Sequence, residues 1–180
     1  MRIDLHSHST RSDGKESVTQ VFEEAKRERV DILALTDHDT ASGWGEATTV
    51  AQRLGMGFVP GIEVTTKAHF QDADGSHHSF SVHMLAYLVN PDEPNFSAAL
   101  TNSLEGRKQR ILEMVEVIAP DYPITLEDVL GGLDEGATQG RPAIADALIK
   151  RGYFATREQV FKEIWGKHQN RRYYIPNRST

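Results

Sequence analysis

The chain has 180 residues, of which 38% are hydrophobic and 26% charged, with a net charge of −6 and no cysteine; this suits about one globular domain and excludes wholesale disorder. Without cysteine there are no disulfides, iron–sulfur clusters or thiolate zinc sites, so a metal would have to be held by imidazole and carboxylate. An isoelectric point near 5.7 argues against wrapping of long duplex DNA, and neither a bilayer-length apolar run nor a basic and apolar leader is found, so no membrane contact and a cytoplasmic location are expected.

In chain order, residues 2–7 read as a short strand. Residues 17–29 read as a helix opened by the capping-box pattern Ser17-x-x-Gln20. The apolar run 32–36 is a strand of the kind buried on both faces. A second helix spans 42–54, with Gly55 placed to stop it. Strands follow at 57–67 and 80–89, and the polar stretch between them is expected to be a solvated loop carrying His69, His77 and His78. This β-α-β-α-β order predicts parallel strands with right-handed crossovers. After Pro91 the pattern turns helical, over 96–118, 125–133, 142–150 and 156–165, and a strand signal returns only at 173–175. The expected organisation is a metal-binding α/β part over 1–92, a helical insertion or substrate module over 93–172, and a return towards the α/β part over 173–180. Charge follows the same division: residues 1–100 carry 8 Lys+Arg against 15 Asp+Glu, and residues 101–180 carry 12 against 11.

The chemistry concentrates at strand ends. His6 and His8, two apart on a strand, share a face and form a chelating pair for a divalent metal. Asp13 follows in the loop Arg11-Ser-Asp-Gly14. The second strand stops in Asp37-His38-Asp39, the third carries Glu63 inside an apolar run, and the fourth carries His83 between Val82 and Met84. One histidine in an apolar strand is ordinarily a satisfied core residue, and a lone Glu63 could pair with an arginine. Four successive strands that each bring an imidazole or carboxylate to one end point instead to a metal cluster, because strand ends converge on the site in parallel α/β folds.

The segments HSHS–SDG, TDHD, GIE and VHMLAY, in this order and spacing, resemble the PHP (polymerase and histidinol phosphatase) family. The segment GRPAIADALIKRGY resembles its branch of nucleoside 3′,5′-bisphosphate phosphatases, whose members also degrade short RNA. The resemblance implies the N-terminal part of a distorted (β/α)7 barrel holding two to three divalent ions, manganese, iron, zinc or magnesium. By position it implies His6, His8, Asp13, His38, Glu63 and His83 as metal ligands, with Glu63 bridging two ions. The branch often has a histidine where this chain has Ala143. The family also completes its cluster with a further histidine and an Asp-x-His motif after the helical module, and this chain has neither; His168 is expected to be a solvated surface residue. The 180 residues are therefore expected to be an incomplete domain.

Clustered divalent ions would generate a hydroxide at neutral pH, neutralise phosphoryl oxygens and stabilise the leaving alkoxide. No protein nucleophile is then needed, and Asp13 could ligate an ion, orient the nucleophile or shuttle a proton. For the substrate phosphate, Arg141 precedes a proline at a helix start, beside free backbone N–H groups, and Arg107 lies on the long helix. The expected activity is a metal-dependent phosphatase or phosphoesterase acting on the phosphate monoester of a small nucleotide, with short RNA ends as further partners. Rival readings are a histidinol-phosphate-type phosphatase, a short-oligonucleotide exonuclease, and a catalytically silent PHP metal-binding module.

Overall fold

A computed structural model describes residues 1–131, 139–166 and 173–175. The element order is β1 (Ile3–Asp4), α1 (Val18–Arg27), β2 (Ile32–Leu35), α2 (Trp44–Leu54), β3 (Gly57–Gln71), β4 (His77–Tyr87), α3 (Pro94–Ile118), α4 (Leu126–Leu130), α5 (Arg141–Lys150) and α6 (Arg157–Val160). The last runs on into one π-helical turn, Phe161–Trp165.

The predicted caps form as expected. Ser17 accepts from the Gln20 backbone N–H while the Gln20 side chain accepts from Ser17 N–H, satisfying two donors that α1 would otherwise leave open. Gly55 ends α2 at φ +62°, a left-handed position that costs glycine little. Between these caps, α1 buries Val18 and Phe22, α2 buries Ala47, Val50 and Ala51, and both pack on Leu33 and Leu35 of β2. Among the described residues this is one of two apolar clusters. The other is helical: Ile111, Met114 and Ile118 of α3 pack with Val129, Ile144, Leu148, Val160 and Ile164.

The four strands form one sheet in the order β1-β2-β3-β4. The pairs β1–β2 and β2–β3 are parallel, as the alternating pattern predicts. The third pair corrects that expectation: β4 runs antiparallel to β3, over eleven residue pairs from Gly61↔Tyr87 to Gln71↔His77. The stretch expected to be a solvated loop is therefore the far end of a hairpin. Its turn is closed by Asp72 N–H to Ser76 O and Gly75 N–H to Asp72 O, with Gly75 at φ +89°. His69, His77 and His78 sit on paired strands, where ladder hydrogen bonds hold a backbone whose side chains are mostly polar.

Two smaller expectations also change. β1 is only two residues long, so His6 and His8 lie beyond it and owe their proximity to the chain path, not to strand pleating. No strand forms at 173–175; Tyr173 instead packs into the helical cluster and donates its hydroxyl to Asp121 Oδ2 at 2.6 Å. Residue 168, and the end of the helix predicted over 125–133, lie outside the described residues.

The sheet curls. The Tyr87 hydroxyl, at the end of β4, donates to the carbonyl of Leu5 just past β1 at 2.7 Å, so the first and last strands approach across the concave side. Gly61 makes room for this: a Cβ there would lie 2.8 Å from Thr36 Cγ2 and 3.0 Å from the Tyr87 ring. The curled α/β sheet is consistent with a PHP barrel.

Candidate metal centre

All six predicted metal donors meet on the concave side, where the parallel part of the sheet ends. The segment 37–39 leaves β2 and is stitched to β3 by Glu63 N–H to Asp37 O and Asp39 N–H to Glu63 O, with His38 bridging Glu63 in parallel register. The loop after β1 is fixed by Asp37, a buried carboxylate that accepts from Ser9 N–H (2.8 Å), Ser9 Oγ (2.7 Å) and Ser12 Oγ (2.6 Å). Gly14 closes this loop so tightly that a Cβ would lie 2.6 Å from the His8 carbonyl oxygen. β4 enters from the opposite direction and delivers His83.

Three overlapping groups result: His6, His8 and Glu63; His8, Asp13 and His38; and His38, Glu63 and His83. Glu63 Oε2 lies 2.7 Å from His6 Nε2 and 2.9 Å from His8 Nε2, and the two imidazole nitrogens are 3.0 Å apart. Glu63 Oε1 lies 2.8 Å from His83 Nδ1 and 3.9 Å from His38 Nδ1. Asp13 reaches His8 Nδ1 at 3.5 Å and His38 Nε2 at 3.6 Å. Lone-pair donors crowded at such separations match atoms that share one ion at about 2.0–2.1 Å. The donor set, all imidazole and carboxylate, suits zinc, manganese or iron. His8 and His38 each belong to two groups, and Glu63 joins two. Among the described residues, His69, His77 and His78 belong to none of these groups.

The electrostatics favour ionised donors. Burial pushes Asp13 up, but the hydrogen bond with His38 and the charges of His38, His8 and Arg107 outweigh it and hold the carboxyl at about 2. Glu63 behaves likewise: against burial, the His6 hydrogen bond and the surrounding imidazoles keep it below its usual range. Burial lowers the His8 imidazole, favouring the neutral form that a metal requires. Asp37 is raised, because burial exceeds the effect of its serine donors.

A cavity of about 160 Å³ opens beside the cluster, lined by Asp13, His38 and His83 together with Arg107, Arg110 and Arg141. Both predicted substrate arginines are here. Arg141 stands 5.9 Å from the ring centres of Phe161 and Trp165, a cation–π arrangement that fixes the guanidinium. Arg107 donates Nε to Asp39 Oδ2 (2.7 Å) and Nη2 to Thr65 Oγ1 (2.5 Å). Burial, with the neighbouring Arg141 and Arg107 charges, drops Arg110 to about 10, and burial with Arg107 also lowers Arg141. Three guanidiniums line the same cavity, and burial, more than their neighbours' charge, lowers two of them.

Sequence reasoning did not give Arg110 or Gln139 a site role. Gln139 lines the same cavity, and its buried Oε1 has no hydrogen-bond partner among the described residues. A heptad-like count along the long helix would have placed Arg107, Arg110 and Met114 on one face; nothing local marks Gln139. The supporting carboxylates Asp37 and Asp39 were visible only as part of an ionisable strand end.

The fold and the centre define an α/β protein with an imidazole–carboxylate cluster whose donors could hold a metal ion. The chain belongs to the PHP domain family, whose pattern matches residues 4–108, a span that contains all six donors and Arg107. It is 38% identical over 62% of its length to the 3′,5′-nucleoside bisphosphate phosphatase of Chromobacterium violaceum, of which it covers 36%. It is 30% identical over 96% of its length to the 5′-3′ exoribonuclease Rnm of Salmonella typhimurium, of which it covers 56%. A solved structure from Bifidobacterium adolescentis, described as a metal-dependent phosphoesterase, superposes with a TM-score of 0.85 at 36% identity, covering 99% of this chain and 59% of that one. The chain thus spans between about a third and three-fifths of the length of these relatives. Among the described residues, no helix is long and apolar enough to cross a membrane.

Proposed function

We propose that this chain carries the metal-binding part of a phosphoesterase that hydrolyses the phosphate monoester of a small nucleotide, of the nucleoside 3′,5′-bisphosphate type. The observation that carries this reading is one cavity lined both by members of the donor cluster and by three arginines. A phosphate seated in this cavity would meet guanidinium charge as well as any bound ion, which is what a dianionic ester requires before a nucleophile can approach. The curled sheet is read as four strands of the seven-stranded barrel that the family resemblance implies, with the helical segment as its substrate module.

In this reading His6, His8, Asp13, His38, Glu63 and His83 hold two to three divalent ions. When bound, such ions supply Lewis-acid charge and make water acidic enough to react at neutral pH. Arg141 and Arg107 bind and orient the phosphoryl oxygens, and Arg110 adds charge from the same wall. Asp13, lining the cavity, holds an ion or the nucleophile's hydrogen bond. Gln139 Oε1 offers an acceptor to a sugar hydroxyl or a base amine. The similarity to a nucleoside bisphosphate phosphatase and to exoribonucleases supports a nucleotide over histidinol phosphate.

The test is metal analysis of the purified protein together with phosphate release from adenosine 3′,5′-bisphosphate, AMP, histidinol phosphate and short RNA. Phosphate released preferentially from a nucleotide supports the reading. Metal bound without release from any of the four favours a silent metal-binding module.

A further inference from the structure

The loop that carries Asp13 is held both from the sheet and from the helical segment. On the sheet, Asp37 grips it through Ser9 and Ser12, and those contacts stop one residue short of Asp13. From the helical segment, Arg157 Nη1 donates to the Asp13 carbonyl at 3.2 Å, across 144 positions of sequence. The same guanidinium meets Asp146 of α5 side-on, with Nε to Oδ1 at 2.6 Å and Nη2 to Oδ2 at 2.5 Å. This bidentate pair uses one edge of the planar group and leaves Nη1 turned towards Asp13. Joining α5 to α6 needs that edge alone; the contact with the donor loop is additional.

Arg157 also opens an element whose far end holds a cavity arginine. Thr156 caps α6 by accepting from Gln159 N–H, while Gln159 Oε1 accepts from Ala155 N–H. Val160 and, in the π turn, Ile164 are then fully buried in the helical core. In that turn Phe161 and Trp165 lie 5.1 Å apart, each with its ring centre 5.9 Å from the Arg141 guanidinium. Single π turns inside helices recur at functional sites. Residues 157–165 therefore touch the Asp13 backbone at one end and Arg141 at the other, and the close packing of Val160 and Ile164 keeps the span between them stiff.

We infer that Arg157 is a positioning residue, which holds the Asp13 carboxylate within reach of His8 and His38 and sets its spacing from Arg141. Asp146 acts through Arg157 by fixing the plane of the guanidinium. Asp13 is the donor that needs such support: it lies 3.5 Å from His8 Nδ1 and 3.6 Å from His38 Nε2, and its side chain is 36% exposed against 9% for Glu63. Partners behind a metal ligand orient it, and here the partner comes from the segment that carries Arg141. The assignment rests on the metal-dependent phosphoesterase reading and deepens it, because one helical element then links metal affinity to phosphate affinity.

The test titrates manganese into metal-free wild type, Arg157→Ala, Arg157→Lys, Asp146→Asn and Arg151→Ala, followed by calorimetry. Arg151 is the control, since its pair with Asp128 joins α5 to α4 within the helical segment. Arg157→Ala weakens manganese binding about ten- to a hundredfold, the range for loss of a partner behind a ligand. Asp146→Asn gives a smaller loss. Arg157→Lys recovers part of the affinity, because an ammonium can still reach the carbonyl but has no planar fork for Asp146. Arg151→Ala binds manganese as wild type does, although it too has lost an ion pair. Inorganic phosphate, titrated at saturating manganese, binds Arg157→Ala more weakly than wild type, and equal phosphate affinity removes the link to Arg141. Wild-type manganese affinity in Arg157→Ala, or an equal loss in Arg151→Ala, overturns the positioning role and leaves the metal centre standing. Should Arg157→Ala not fold, wild-type affinity in both Arg157→Lys and Asp146→Asn has the same force. A wild-type protein that takes up no manganese removes the metal-centre reading itself, and the role of Arg157 with it.

Discussion

Asp39 is the residue whose removal tests the architecture most directly. Its side chain is completely buried and accepts from Thr65 N–H, Thr65 Oγ1 and Arg107 Nε, each at 2.7 Å, while Arg107 is itself only 13% exposed. Its backbone is left-handed, φ +54°, a conformation aspartate and asparagine adopt more readily than alanine. Asp39→Ala therefore leaves a buried guanidinium without its carboxylate, costing about 3–5 kcal/mol. The strained φ and the abandoned Thr65 N–H act in the same direction, though not additively. Asp39→Asn keeps an acceptor and tolerates the backbone, so its loss should be about 1.5–3 kcal/mol, the range for a hydrogen bond to a charged group. Urea denaturation followed by circular dichroism measures both, with slopes of about 1–3 kcal/mol/M converting these losses into clear midpoint shifts. A double-mutant cycle with Arg107→Ala should show strong coupling. If Asp39→Ala stays within about 0.5 kcal/mol of wild type, or the cycle is additive, the buried pair does not join the helical segment to the sheet as described.

Three further outcomes follow from the geometry. Glu63→Gln should lower metal stoichiometry, read by elemental analysis, and reduce turnover, because one carboxylate serves two donor groups; wild-type metal content and turnover together would falsify the bridging role. Arg141→Ala should raise KM for the best nucleotide about ten- to a hundredfold, equivalent to ~1.5–3 kcal/mol for a charge-assisted contact, with metal content intact; wild-type KM and kcat would place the phosphate elsewhere. Gly61→Ala should destabilise the protein by about 1–3 kcal/mol through overpacking, since its Cβ would press on Thr36 and on the Tyr87 ring, and a thermal midpoint equal to wild type would show that the Tyr87 crossing is not tight.

The parts of this molecule that read easily from sequence are those set by local rules. Ser17 with Gln20 announces the start of α1, Gly55 the stop of α2, and the apolar run of β2 its burial on both sides. The centre was legible for a different reason: imidazoles and carboxylates at the ends of otherwise apolar strands have few purposes in common. The hairpin was not legible, because its outer half is polar on one side and its strand character comes from pairing with a distant segment. Composition marks such a stretch as a loop, and direction of pairing is invisible to it. Arg107 was found as a charge on a helix, but its role depends on Asp39 and Thr65, 68 and 42 residues away. Gln139 becomes notable only when its neighbours are known.

The separation of the two apolar clusters has an evolutionary consequence. The cluster around Phe22 and Leu33 sets the strand ends that carry the donors, whereas that around Ile111 and Ile144 sets the helices that carry Arg110 and Arg141. Polar contacts that join the two halves among the described residues include Arg107 with Asp39 and Thr65, and Arg157 with the Asp13 carbonyl at 3.2 Å. Packing changes travel through touching side chains, so a lineage can rework helical core residues away from Arg107 with little effect on the donors. Such a seam lets one metal centre be inherited intact while the wall facing it diverges, and new substrates can be acquired by drift in one half alone.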